Sequence, residues 1–154
     1  MLRIAKFTDY ATTLMTRLAR TPLRRVSAQQ LARELSLPAP TVAVLLKKLA
    51  RAGLVNSTRG AGGGYALTDL PQNISVAQII SAIEGPVALT ECALGQGRCT
   101  IEADCATRDN WRLISQAVRV ALEAVSLASM SGPMRPADSS AFNFHAPRTA
   151  APDV

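Results

Sequence analysis

The sequence predicts a mainly α fold, a winged helix-turn-helix with a small β-hairpin wing, followed by a long C-terminal dimerisation helix. Three observations carry this. Two short amphipathic segments flank a proline-containing break, a glycine-rich turn joins two short β-type runs, and the last regular segment is apolar on two sides.

The first helix is expected to start at Thr8 or Asp9 as its cap and to run to about residue 20, with Ala11, Leu14, Met15 and Leu18 on one face. Thr21-Pro22-Leu23 ends it, because proline cannot extend the hydrogen-bond ladder. Ser27 caps a short second helix with Ala28, Leu31, Ala32 and Leu35 inward, which stops at Ser36-Leu37-Pro38. Pro40, at a first-turn position where a missing N–H is harmless, and Thr41 open a third helix that buries Val42, Leu45, Leu46 and Leu49 and ends at Gly53. A strand over 54–58, a turn of Arg59 and Gly60 to Gly64, and a return strand over 65–67 make the wing. Ser75 then caps a helix from Val76 to Ile83, closed by Gly85-Pro86.

Residues 90–106 hold Gly95, Gly97 and three cysteines without a clear period and read as a loop. From 110 to 130 one helix is expected. Trp111, Ile114, Val118, Ala121 and Val125 form one stripe, and Leu113, Ala117, Val120, Ala124 and Leu127 a second. Two apolar stripes need two surfaces, and a second copy of the chain is the simplest source of the other, so the first stripe is assigned to dimerisation. The Pro-, Ala- and Ser-rich residues 131–154 are expected to be a disordered tail. The chain thus divides into a DNA-binding domain (1–85), a cysteine loop (86–109), a dimerisation helix (110–130) and the tail.

Charge separates the two halves. Residues 1–70 carry 11 basic and 3 acidic side chains, and residues 71–154 carry 6 and 8. So basic a front half suits a polyanion, here double-stranded DNA. In helix-turn-helix proteins the N-terminal end of the second helix reaches base edges, and basic residues further along meet phosphates. Ala39, Pro40, Thr41, Val44, Lys47, Lys48 and Arg51 are therefore the expected contacts of the third helix, Arg59 and Tyr65 those of the wing, and Thr8, Arg24 and Ser27 flanking backbone contacts. A solvated basic face or a protein-binding winged helix would share some of these features. Motif, wing and charge agreeing with one another favours DNA.

Cys92-x6-Cys99-x5-Cys105 is the second chemical signal. An odd number of clustered cysteines fits a reducing cytoplasm better than an oxidised secreted framework. Thiolates are soft ligands for iron-sulfur clusters, zinc or copper(I), but paired CxxC knuckles are missing. An iron-sulfur cluster ([4Fe-4S] or [2Fe-2S]), zinc, and a thiol redox switch remain open. Glu91, Glu102, Asp104, Asp109, Asp9 and His145 are candidate fourth ligands of a cluster, with His145 in the expected tail. No apolar run is long enough to span a membrane, the N-terminus lacks a signal-type core, and neither a catalytic triad nor a phosphate-cradling loop is present. A small-molecule substrate and an enzyme are accordingly not expected.

The opening Leu2-Arg-Ile-Ala-Lys-Phe-Thr-Asp-Tyr-Ala11, the wing Arg59-Gly-Ala-Gly-Gly-Gly-Tyr-Ala-Leu67, the Cys92/Cys99/Cys105 spacing and the following Asn110-Trp111 resemble the Rrf-type family of winged-helix transcription regulators (IscR- and NsrR-like). Within that family the chain looks most like the branch regulating the SUF cluster-assembly operon. The resemblance implies a homodimer that represses iron-sulfur assembly genes, with a cluster between the Cys loop of one subunit and the N-terminal region of the other. Cys92, Cys99 and Cys105 fall on the family's ligand positions. Arg108 stands where IscR-like members place a ligand histidine, and Asp9 stands where NsrR-like members place a ligand aspartate, so Asp9 of a second copy is the implied fourth ligand.

Overall fold

In the computed structural model, which describes residues 3–95 and 97–132, three helices meet first: α1 (Lys6–Ala19), α2 (Ala28–Glu34) and α3 (Ala39–Arg51). Ala11, Leu14, Met15 and Leu18 of α1 close on Leu31 of α2 and on Val42, Leu45, Leu46 and Leu49 of α3. Each of these leucines and the methionine is essentially excluded from water, at about 1.5–3 kcal/mol per fully buried side chain.

Neither Thr8 nor Asp9 caps α1. The helix starts earlier, on Ala5, with no side-chain cap. Thr8 shares the inward face with Ala11 and Met15, is 1% exposed, and donates its hydroxyl to the Glu84 carboxylate. Ser27 does cap α2, accepting from the Gln30 N–H at 3.1 Å. The turn to α3 passes through Ser36 at φ 53, an uncommon left-handed position for a residue other than glycine.

The wing pairs β1 (Val55–Thr58) with β2 (Gly64–Leu67) antiparallel, Val55 opposite Leu67 and Thr58 opposite Gly64. A further rung not expected from sequence joins it to the α1–α2 link: Val26 and Tyr65 exchange both backbone bonds at 2.9 Å. Gly64 makes this approach possible, since a Cβ there would stand 2.8 Å from the Val26 carbonyl. At Gly63 a Cβ would stand 2.3 Å from the Thr58 oxygen.

A 3-10 turn (Pro71–Asn73) leads to α4 (Val76–Glu84), which Ser75 and Gln78 open as a reciprocal capping box. Asp69 takes the Asn73 amide and the Leu70 N–H, and these bonds hold its carboxyl below the usual range.

After α4 come α5 (Glu91–Leu94), α6 (Arg108–Ala124) and α7 (Leu127–Met130). The single helix expected over 110–130 is therefore two. Val125 is extended, and residues 125–127 lie along 74–76, with Val76 N–H on the Val125 carbonyl (2.9 Å) and Leu127 N–H on the Ile74 carbonyl (2.7 Å). Ser126 caps the new turn, accepting from the Ser129 N–H, and Leu127 drops fully buried into the core. The pairing with residues 74–76 replaces hydrogen bonds that a continuous helix would have made, and it lets Leu127 be buried. The Cys segment, read as loop throughout, contains the short helix α5. Residues 133–154, most of the expected tail and His145 with it, lie outside the described residues.

Candidate nucleic-acid interface and thiol segment

Helix α3 buries Val42, Leu45, Leu46 and Leu49, which leaves Pro40, Val44, Lys47 and Arg51, at spacings of four, three and four, as one exposed stripe along its outer side. Ala39 is exposed at the helix start, and Thr41 is half-buried at the stripe's edge. Lys48, expected at a phosphate, is engaged within the domain in the absence of DNA. Its amine donates to the Ile83 carbonyl of α4 at 2.7 Å, turning back into the domain although the residue is exposed.

Arg59 is exposed at the end of β1. Tyr65 is half-buried and its backbone is tied to Val26, which makes it an anchor of the wing. Arg24 is exposed, as is Arg25, which donates to the Asn56 side-chain oxygen at 3.2 Å. Ser27 is exposed too; its hydroxyl oxygen accepts in the α2 cap, and its O–H can still donate to a phosphate. Thr8, expected on the DNA side, is buried against Glu84 and offers nothing to a phosphate. Behind the interface, Gln30 and Arg17 both donate to Glu34, lowering its pKa and clasping α2 to α1.

Cys92 sits on α5 and is 7% exposed, its sulfur 3.2 Å from the Thr90 hydroxyl; Cys99 and Cys105 are half-buried. The Thr107 hydroxyl and N–H, with the Arg108 N–H and charge, hold the Cys105 thiol below its ordinary range.

What orders the segment is a pair that pattern reading missed. Arg112 on α6 donates from Nε to the Cys92 carbonyl (3.0 Å) and from Nη2 to Glu102 (2.6 Å), whose second oxygen takes the Gly97 N–H (2.7 Å). One turn on, the buried Ser115 accepts from the Leu89 N–H at 3.1 Å. A polar residue in an apolar helix was the available signal for Ser115. For Arg112 the sequence offers only the i,i+3 pair with Asp109 (3.8 Å); the partners that fasten the segment lie ten and twenty residues away.

Glu102, so engaged, is not a free ligand, and Asp109 is paired with Arg108. Glu91 and Asp104 are exposed. Asp9 is exposed on α1 beside a groove lined by Ile4, Thr12, Ile80, Leu122 and Met130. Among the described residues, no three His, Cys, Asp or Glu side chains are close enough to share one metal ion. The three thiols are the right donors for a thiophilic centre, on a segment whose backbone bonds are mostly those of local turns.

Along α6, Trp111 and Ile114 are exposed, whereas Val118 and Ala121 are half-buried and Val125 lies in the break. Of the second stripe, Leu113 is 63% and Val120 51% exposed, with Ala117 and Ala124 exposed between and beyond them, whereas Leu127 is fully buried on α7. Among the described residues, no helix is long and apolar enough to cross a membrane.

Comparison with known proteins places this arrangement. The chain is 30% identical over 131 residues to the transcriptional repressor NsrR of Streptomyces coelicolor, covering 84% of this chain and 88% of that one. It is 40% identical over 86 residues to the regulator IscR of Aliivibrio salmonicida, covering 56% of this chain. The chain spans little more than half the length of some curated relatives: 51% of that IscR and 57% of each of two Neisseria meningitidis relatives. Among solved structures, CymR, the global cysteine regulator of B. subtilis, superposes with a TM-score of 0.67 at 31% identity, over 85% of this chain and 97% of that one. The model of the Rrf2 family, described as iron-dependent transcriptional regulators, matches residues 4–133, and on that span the chain belongs to the Rrf2 family of transcriptional regulators.

Proposed function

We propose that the chain is a cytoplasmic, homodimeric, DNA-binding repressor of iron-sulfur cluster assembly (SUF) genes, sensing cluster status through a cluster of its own. The observation that carries the DNA-binding half is the exposed α3 stripe of Pro40, Val44, Lys47 and Arg51 beside the Val26-anchored wing. Pro40, Val44 and the neighbouring Ala39 and Thr41 would meet base edges, while Lys47, Arg51 and, from the wing, Arg59 would meet phosphates or the minor groove.

The donor set supports the sensing half. Cys92, Cys99 and Cys105, with Asp9 of a second copy, would hold the cluster, three soft thiolates and one exchangeable oxygen ligand. When bound, the cluster supplies a centre that is lost or altered with iron supply and oxidant. The chain's own residues do the rest. Arg112 and Glu102 hold the segment against α6, Thr107 holds the Cys105 thiol below its ordinary range, and α6 would present Leu113, Ala117, Val120 and Ala124 to a partner helix. A coupling of about 1–3 kcal/mol between segment and reading head would change operator occupancy about 5- to 150-fold.

Footprinting of cluster-loaded and cluster-free protein on the DNA upstream of its own gene tests both halves. Protection that depends on loading supports the proposal. Equal footprints refute the sensing half alone, and no footprint refutes the DNA-binding half. Iron and sulfide analysis of anaerobically purified protein separates the cluster from zinc or a thiol switch.

A further inference from the structure

Three strands of the structure converge on the last turn of α4. Lys48 of α3 donates to the Ile83 carbonyl at 2.7 Å, and Thr8 of α1, the neighbour of Asp9, donates to Glu84. One residue further, Gly85 caps α4 and the chain leaves through Pro86 into the thiol segment. The last carbonyls of a helix have no partner within it and carry the negative end of its dipole, so an ammonium there is held by charge and hydrogen bond together. The Ile83 side chain lies in the same core as Leu45, Leu46 and Leu49, which fixes the acceptor against the helix that bears the donor.

We propose that Lys48 is a positioning residue that ties the reading helix to the end of α4, and through it to the thiol segment, and is not a phosphate contact. This rests on the DNA-binding reading above. A displacement of the chain at Gly85 and Pro86 reaches α3 through the Lys48 bond, and changes the pose of Val44, Lys47 and Arg51 that stand on the same helix. Linkage makes the effect reciprocal: duplex DNA bound at α3 alters the thiol segment.

The test compares the full-length wild type with Lys48→Met, Lys48→Arg and Lys47→Met, using duplex DNA from upstream of the protein's own gene. Mobility shifts over a range of salt give the slope of log affinity against log salt. Iodoacetamide alkylation of Cys92, Cys99 and Cys105 in metal-free protein, with and without the duplex, reads the segment. Lys47→Met should lower the slope by about one, as loss of one phosphate contact does. Lys48→Met should leave the slope unchanged. Its DNA-dependent change in alkylation, about fivefold or more in the wild type at the low end of ordinary coupling, should be lost. Lys48→Arg, which keeps a charged donor, should restore that change.

A slope lowered by about one in Lys48→Met, with the alkylation change intact, overturns the proposal and makes Lys48 a phosphate contact. A wild type that binds the duplex without any change in alkylation overturns it as well. A wild type that binds the duplex neither cluster-loaded nor cluster-free refutes the DNA-binding reading, and this inference with it.

Discussion

Arg112 Nη2 lies 2.6 Å from Glu102 Oε1, while Nε of the same guanidinium holds the carbonyl of Cys92. One side chain on α6 thus fastens two thiol-bearing stretches at once. The Glu102 side chain is only 11% exposed, so loss of its partner leaves a largely buried carboxylate with the Gly97 N–H as its remaining strong donor. Arg112→Gln should loosen the segment by about 1–3 kcal/mol, the usual cost of unpairing a mostly buried hydrogen-bonding group. Alkylation of Cys92 should accelerate correspondingly. Unchanged alkylation in Arg112→Gln would show that the clasp does not order the segment.

Gly64→Ala puts a methyl group 2.8 Å from the Val26 carbonyl, at a φ of +149. The rung between Val26 and Tyr65 must open, and the wing should swing free of the α1–α2 link. A stability loss of about 1–3 kcal/mol is expected from the strained position and broken contact. Thermal melting reads that loss, and weaker operator binding should accompany it.

Lys47→Ala and Arg51→Ala should each weaken DNA binding by similar factors on all sequences and lower the salt slope by about one. Substitution of Val44 or Thr41 should instead change which base pairs are preferred. Binding measured on a panel of single-base variants of the protected site distinguishes the two behaviours.

Leu113→Glu and Leu127→Ala should fail in different ways. Leu113 is 63% exposed, so a charge there should leave the single-chain fold intact and shift sedimentation from dimer towards monomer. Leu127 is fully buried, and its truncation should cost about 2–5 kcal/mol in thermal or denaturant unfolding. A stable dimer in Leu113→Glu would remove that stripe from the interface.

The Thr107 hydroxyl is the largest contributor to the lowered pKa of Cys105. The thiolate is the reactive form, so Thr107→Val should raise the pKa and move the alkylation profile of Cys105 to higher pH. An unshifted profile would assign the lowering to the backbone and Arg108.

The parts of this fold legible in the sequence were those set by local period and turn chemistry. Leu45, Leu46 and Leu49 mark the buried face of α3, Ser27 and Ser75 mark helix starts, and the glycine run marks the wing. What escaped is non-local. Thr8 satisfies the usual cap chemistry, but its position on the inward face of α1 sends its hydroxyl to Glu84, seventy-six residues away. Lys48 carries the same charge as Lys47, and only the neighbouring α4 shows that its amine is engaged. The apolar pattern over 110–130 runs on without interruption, so nothing in its period announces the break at Val125, which backbone pairing with residues 74–76 imposes. The three thiols were conspicuous as a motif, yet the clasp that orders them combines an arginine and a glutamate of ordinary appearance.

The rung between Ser75 and Ser126 also bears on the DNA that a dimer could grip. Because the chain after α6 is paired with residues 74–76 and Leu127 lies in the core that carries α3, a partner packed on α6 would be joined to the reading helix through that core. Two such chains would act as a calliper whose span is set by how α6 is seated on that core. An operator lengthened by a single base pair would then be rejected by geometry, with every base contact still available in each half-site.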